Sequence, residues 1–96
     1  GASPIQPEAD AIIVDGTNAQ RAKNVELMLP FLATGGVLFT LEPDMPVGDV
    51  EPEDEEGMEL VNGFNAWIEL IQSCNETHHI GFMPLFGGTL VAMVAK

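Results

Sequence analysis

Asp15 and Glu42 are two carboxylates that each stand directly behind a short apolar run, Asp10-Ala-Ile-Ile-Val-Asp-Gly16 and Gly36-Val-Leu-Phe-Thr-Leu-Glu42. Runs of this kind read as buried parallel strands, with Ala11, Ile12, Ile13 and Val14 covered on both faces. An open α/β sheet takes its ligands at the C-terminal ends of such strands. Asp15-Gly16 is therefore the first candidate for a ligand contact. Asp15 and Glu42 would lie on one rim, at neighbouring strand ends. Two carboxylates there offer oxygen ligands to a hard cation, Mg²⁺ or Ca²⁺. Both acids also have a plainer use, since a turn acid accepts from nearby backbone N–H groups.

Other chemistry is poorly provided for. His78 and His79 are adjacent, so on a strand they point to opposite faces and cannot share one zinc ion. Cys74 stands alone, which excludes an internal disulfide and fits a reducing, cytoplasmic setting. Gly35-Gly36 and Gly87-Gly88 are turn glycines, not a phosphate-binding loop, which also needs Lys and Ser or Thr. No nucleophile–base pair stands out.

The elements that must position the two acids follow in order. Residues 1–9, with Pro4 and Pro7, read as a tail or linker, and residues 10–96 as one domain. Gly1-Ala2-Ser3, without an initiator Met, reads as a cleaved or appended terminus. A strand over about 10–15 leads into Asp15-Gly16-Thr17-Asn18, where Thr17 or Asn18 can cap a helix. The spacing of Ala22, Val25, Met28, Leu29 and Leu32 predicts that helix over about 19–32, disturbed by Pro30. Thr34-Gly35-Gly36 ends it, and residues 36–41 form the second strand. Residues 43–57 make an acidic loop broken by Pro43, Pro46 and Pro52. Leu60, Val61, Phe64, Trp67, Ile68 and Ile71 give a helix over about 57–73 one apolar face. Thr77–Met83 and Thr89–Ala95 read as strands of an antiparallel hairpin across Pro84–Gly88. The order is β-α-β-α-β-β: a partial Rossmann-like α/β sheet with two parallel strands and a C-terminal antiparallel hairpin.

Charge narrows the partners. Fifteen acids against Arg21, Lys23 and Lys96 give a net charge of −12. Nucleic acids and anionic membranes need cations on the protein that binds them, so neither is expected as a partner. No apolar run is long enough to span a bilayer and no secretory signal is visible. Asp49, Glu51, Glu53, Asp54, Glu55 and Glu56 could instead receive a basic protein partner across residues 44–56.

These strands, the segment Leu29-Pro-Phe-Leu-Ala-Thr-Gly-Gly36 and the ending Gly87-Gly-Thr-Leu-Val-Ala-Met-Val-Ala-Lys96 resemble the C-terminal half of a class I S-adenosylmethionine-dependent methyltransferase. The small-molecule O-methyltransferase branch is the most similar. The resemblance covers roughly residues 10–96 and implies the fourth to seventh strands of a seven-stranded fold. It implies a cofactor contact at Asp15-Gly16 and, in metal-using members, a metal held by acids at the positions of Asp15 and Glu42. Related members follow the first of these with an acid and a histidine, where this chain has Thr17 and Asn18. The glycine-rich loop that grips the cofactor and the acid that holds its ribose belong to the family's other half. S-adenosylmethionine binding would then need that half to be supplied, and the chain is not expected to be catalytic alone. The family places the counterpart of the first strand mid-sheet, so its outer edge calls for an N-terminal half-domain, a second copy or the tail. The alternative is a non-enzymatic acidic module that docks a basic partner through residues 44–56.

Overall fold

The computed structural model describes residues 8–96. Seven residues of the expected tail lie outside it, and Ala9 already belongs to the first strand. The elements are β1 (Ala9–Val14), α1 (Arg21–Met28), a 3₁₀ turn (Leu29–Phe31), β2 (Leu32–Leu41), α2 (Glu55–Cys74), β3 (His78–Leu85) and β4 (Gly88–Ala95). The strands form one sheet in the order β1-β2-β4-β3. β1 and β2 run parallel, while β4 is antiparallel to both β2 and β3. This is the partial Rossmann-like α/β sheet expected, with β3 and β4 joined by the tight turn at Phe86-Gly87.

The helix over 19–32 is shorter than its spacing predicts. Pro30 cannot donate an N–H, and the chain tightens into the 3₁₀ turn that contains it. Leu32 then starts β2 instead of ending α1, and it is buried from the strand. Met28, expected in the buried stripe, is exposed. Thr34-Gly35-Gly36 does not separate helix from strand but forms an irregularity within β2. Ala9 pairs with Leu32 and Ala11 with Val37, so two steps along β1 face five along β2. Gly35 absorbs this at φ +79°, a left-handed conformation open to glycine without strain. The extra residues keep Val37–Thr40 in register with Ala11–Val14.

The helix after the acidic loop begins at Glu55, capped by Asp54, whose Oδ1 accepts from Gly57 N at 3.0 Å. Glu55 and Glu56 fill its first turn, where the helix dipole favours anions. Its buried stripe is Gly57, Gly63, Trp67, Leu70 and Cys74. Phe64 and Ile71 pack against the core, whereas Ile68, expected inside, is exposed.

The core forms on one face of the sheet. Ile12 and Val14 of β1, Leu38 of β2, and Val91 and Met93 of β4 meet Val25 of α1 and Trp67 and Leu70 of α2. Thr40 lies in the same layer, and its hydroxyl donates to the Val14 carbonyl at 3.0 Å, which satisfies the only polar atom it brings in. The expectation that β1 is covered on both faces is corrected. Ala11 and Ile13 are exposed, because both helices pack on the side of Ile12 and Val14.

Gly63 sets how closely α2 approaches the loop after β1. A Cβ at this position would stand 2.8 Å from Asn18 O and 2.9 Å from Ala19 Cα. Both are backbone atoms, so the loop itself would have to move. Gly63→Ala gains about 1 kcal/mol of helix propensity and loses about 1–3 kcal/mol to overpacking. We expect net destabilisation, read as a lower urea midpoint, with amide shift changes centred on Asn18 and Ala19. An unchanged or raised midpoint would show that the loop yields freely.

Candidate functional site

The C-terminal ends of β1 and β2 carry the two acids that the sequence singled out. β1 ends at Val14, so Asp15 and Gly16 are the first residues beyond it, and Glu42 is the first beyond Leu41. Val14 pairs with Thr40, which puts both acids on one rim as expected.

Each acid has local partners. Asp15 Oδ1 accepts from Gly16 N at 2.8 Å, and its carbonyl accepts from Asn24 Nδ2 at 3.2 Å. Gly16 takes φ +129°, and a Cβ there would lie 2.5 Å from Asn24 Nδ2. The glycine is thus required by its backbone, and a Cβ there would also push the Asn24 amide away from the Asp15 carbonyl. Glu42 N donates to Thr89 O at 2.9 Å, which extends the β2–β4 ladder one residue. Its carboxylate accepts from the indole of buried Trp67 at 3.4 Å.

The expected cap at Thr17 or Asn18 is replaced by a turn. Gln20 occupies the cap position of α1 without a side-chain bond, and Thr17 Oγ1 accepts from Gln20 N at 3.3 Å one turn earlier. Asn18 instead ties the two rim loops together. Its Nδ2 donates to Asp44 Oδ2 and its Oδ1 accepts from Asp44 N, both at 3.1 Å. The N-terminus of α2 stands beside this loop. Glu56 and Glu59 share a depression of about 240 Å³ with Thr17 and Asn18.

Arg21 is the residue that sequence reasoning missed. It is the first residue of α1 and is buried. One guanidinium nitrogen donates to Leu41 O and another to Gly16 O at 2.6 Å, while Nε has no partner. One side chain thereby joins the helix to the ends of both parallel strands. A signal was present: a cation at a helix N-terminus opposes the dipole, and only three cations exist in the chain. The Asn18–Asp44 and Trp67–Glu42 pairs gave no such signal.

Among the described residues, no three His, Cys, Asp or Glu side chains are grouped so as to hold an ion. Asp15 and Glu42 would supply at most four carboxylate oxygens, fewer than the six to eight ligands that Ca²⁺ takes. His78 and His79 pair with Ala95 and Val94, so their side chains leave opposite faces, as expected. Cys74 is a buried free thiol. Asp49, Glu51, Glu53, Asp54, Glu55 and Glu56 are all exposed. Among the described residues no helix is long and apolar enough to cross a membrane.

A shallow apolar depression of about 240 Å³ opens beside the rim, lined in part by Ile13, Asp15, Phe39, Leu41 and Leu90. It lies on the face of the sheet that the helices leave uncovered.

No protein-family model matches the chain, and no curated protein matches it. Solved structures do. A Klebsiella pneumoniae protein designated an O-methyltransferase superposes with a TM-score of 0.64 at 19% identity, over 97% of this chain and 43% of its own. The SAH-bound Podospora anserina methyltransferase PaMTH1 gives 0.60 at 20% identity, over 96% of this chain and 43% of its own. A Staphylococcus aureus protein designated a caffeoyl-CoA O-methyltransferase gives 0.63 at 19% identity, over 93% and 44%. The chain thus spans less than half the length of the structures it matches, and over that length it has the partial class I methyltransferase fold that they share.

Proposed function

We propose that the chain is the C-terminal part of an S-adenosylmethionine-dependent methyltransferase-like protein, and that its Asp15-Gly16 rim contributes to a cofactor site completed by other polypeptide. One observation carries this reading. A sheet in the order β1-β2-β4-β3 superposes on O-methyltransferases over nearly all of this chain but about 43% of theirs. An SAH-bound neighbour supports S-adenosylmethionine as the ligand class. Asp15, Gly16 and Glu42 are the residues exposed or half-exposed where such a ligand would reach this chain. The cofactor would supply an activated methyl group. This chain's part is to present the rim in a fixed geometry through Arg21, Asn24 and the Asn18–Asp44 pair. Without the complementing half the chain is not a catalyst. Among the described residues β1 pairs only with β2, and an open strand edge invites pairing. That edge is filled by an N-terminal half-domain, by a second copy or by the tail. A reducing cytoplasmic setting suits the free thiol of Cys74.

Amide NMR of the chain titrated with S-adenosylmethionine tests the reading. The expected result is shifts confined to Asp15, Gly16, Glu42 and their neighbours at millimolar ligand, with no methyl transfer. A well-dispersed spectrum that ignores the cofactor would remove the cofactor surface from this chain.

The exposure of all six acids from Asp49 to Glu56 favours a second reading, an acidic module that docks a basic protein. Binding through that segment would weaken steeply as salt rises. Docking through the β1 edge would change little.

A further inference from the structure

The two faces of the sheet are unequal. Strands covered on both faces read as continuous apolar runs, and strands covered on one face alternate with polar residues. Ala11–Val14 and Val37–Leu41 are of the first kind, broken only by Thr40. Thr40 sits on the face the helices already cover. On the other face the pairing sets Ile13 beside Phe39, Leu41 beside Leu90, and Leu90 beside Met83. Side chains of paired residues share a face, so these five form one apolar sheet surface. Ile13 is 83% exposed, Leu41 46% and Met83 57%. A contiguous exposed apolar patch with a polar rim marks a docking surface. Here the rim carries an exposed anion, Asp15, two residues beyond Ile13, whereas the Glu42 carboxylate turns to the other face and meets Trp67.

Charge selects the occupant. A second copy would bring another −12 against the first and would set like-charged rims together. A parallel strand pair is ordinarily covered by helices on both faces. We infer that the helix-free face of the sheet docks a polypeptide layer of amphipathic helices, apolar toward Ile13, Phe39 and Leu41 and flanked by Lys or Arg toward Asp15. This rests on the proposed function, in which the complementing half of the fold is the partner. It adds the chemistry that partner must have, and a surface distinct from the β1 edge.

The test uses two designed amphipathic peptides of about 18 residues, five turns of helix. One is built from Leu and Lys, the other from Leu and Glu, and each is titrated into the labelled chain. The Leu/Lys peptide should shift amides of residues 11–13, 39–41 and 90–92, and the Leu/Glu peptide should not. Ile13→Asp, at a site exposed enough to leave the fold intact, should weaken binding about tenfold or more. Glu53→Gln with Glu55→Gln and Glu56→Gln should weaken it less than about threefold. Amide dispersion of each variant confirms that it is folded. Shifts confined to residues 49–56, or an Ile13→Asp variant that binds undiminished, would overturn the proposal. So would a solution mass showing that a second copy takes the face. Peptide docking without any response to S-adenosylmethionine would keep this surface and discard the methyltransferase reading of its partner. A cofactor response without docking would do the reverse.

Discussion

Replacing Trp67 by Ala is expected to leave the chain largely unfolded at physiological temperature. The side chain has no solvent exposure and packs in the core cluster with Val25, Leu38, Val91 and Met93. Truncating a buried Trp costs about 3–5 kcal/mol, from lost transfer energy and the cavity left behind. At 0.05–0.15 kcal/mol per residue a domain of 96 residues has about 5–14 kcal/mol in total. A sheet covered on one face falls at the low end, because apolar area that stays wet contributes nothing. The urea midpoint should drop by about 2 M or more. Since this is the only Trp, the wild type is followed by indole fluorescence and both proteins by circular dichroism. Trp67→Phe separates packing from polar contact. It keeps most of the volume and loses the 3.4 Å donation to Glu42. That bond is long, so the loss should not exceed about 1.5 kcal/mol. A Trp67→Ala variant within 1.5 kcal/mol of wild type would contradict the burial on which this rests.

The sequence displayed the order of elements because the signals for it are local. Apolar runs closed by Asp15-Gly16 and by Glu42-Pro43, the acidic start of α2 and the glycines of the last turn each act within a few residues. The partial sheet, the parallel pair and the C-terminal hairpin followed from that order. Three things did not follow. A periodicity of 3.6 placed Leu32 on α1 because Leu32 does face the core, yet it does so from β2 after the chain tightens at Pro30. A continuous apolar run predicted two covered faces for β1, which states what the strand is suited to and not what this length of chain provides; Ile13 records the difference. The rim network was hidden because Asn18–Asp44 and Trp67–Glu42 join residues 26 and 25 positions apart. Such pairs arise from topology, and no pattern within either segment announces them. The candidate site was therefore legible as two acids at two strand ends, and illegible in what holds those ends together.

What holds them is Arg21, and its removal is the sharpest test of the rim. Two backbone carbonyls, Gly16 O at the end of β1 and Leu41 O at the end of β2, accept from one guanidinium. The cost of placing a cation at the N-terminus of α1, about 0.3–1 kcal/mol, is offset by these charge-assisted hydrogen bonds, each contributing about 1.5–3 kcal/mol. Arg21→Met keeps most of the aliphatic stem and supplies no donor. Each carbonyl left without a partner costs about 1–3 kcal/mol, so about 3 kcal/mol is the expected loss, with amide shift changes concentrated at Gly16 and Glu42. Arg21→Lys should fall between, since an ammonium on a flexible stem does not reproduce a planar fork that spans two strands. The separation matters for function. If Arg21 only adds stability, a ligand that restores stability would restore the Gly16 and Glu42 resonances as well. If it positions the rim, Arg21→Lys should blunt any S-adenosylmethionine response at Asp15 and Gly16 even where the variant is fully folded. A folded Arg21→Met protein with unaltered stability and unaltered resonances at both strand ends would show that the two strands need no clasp.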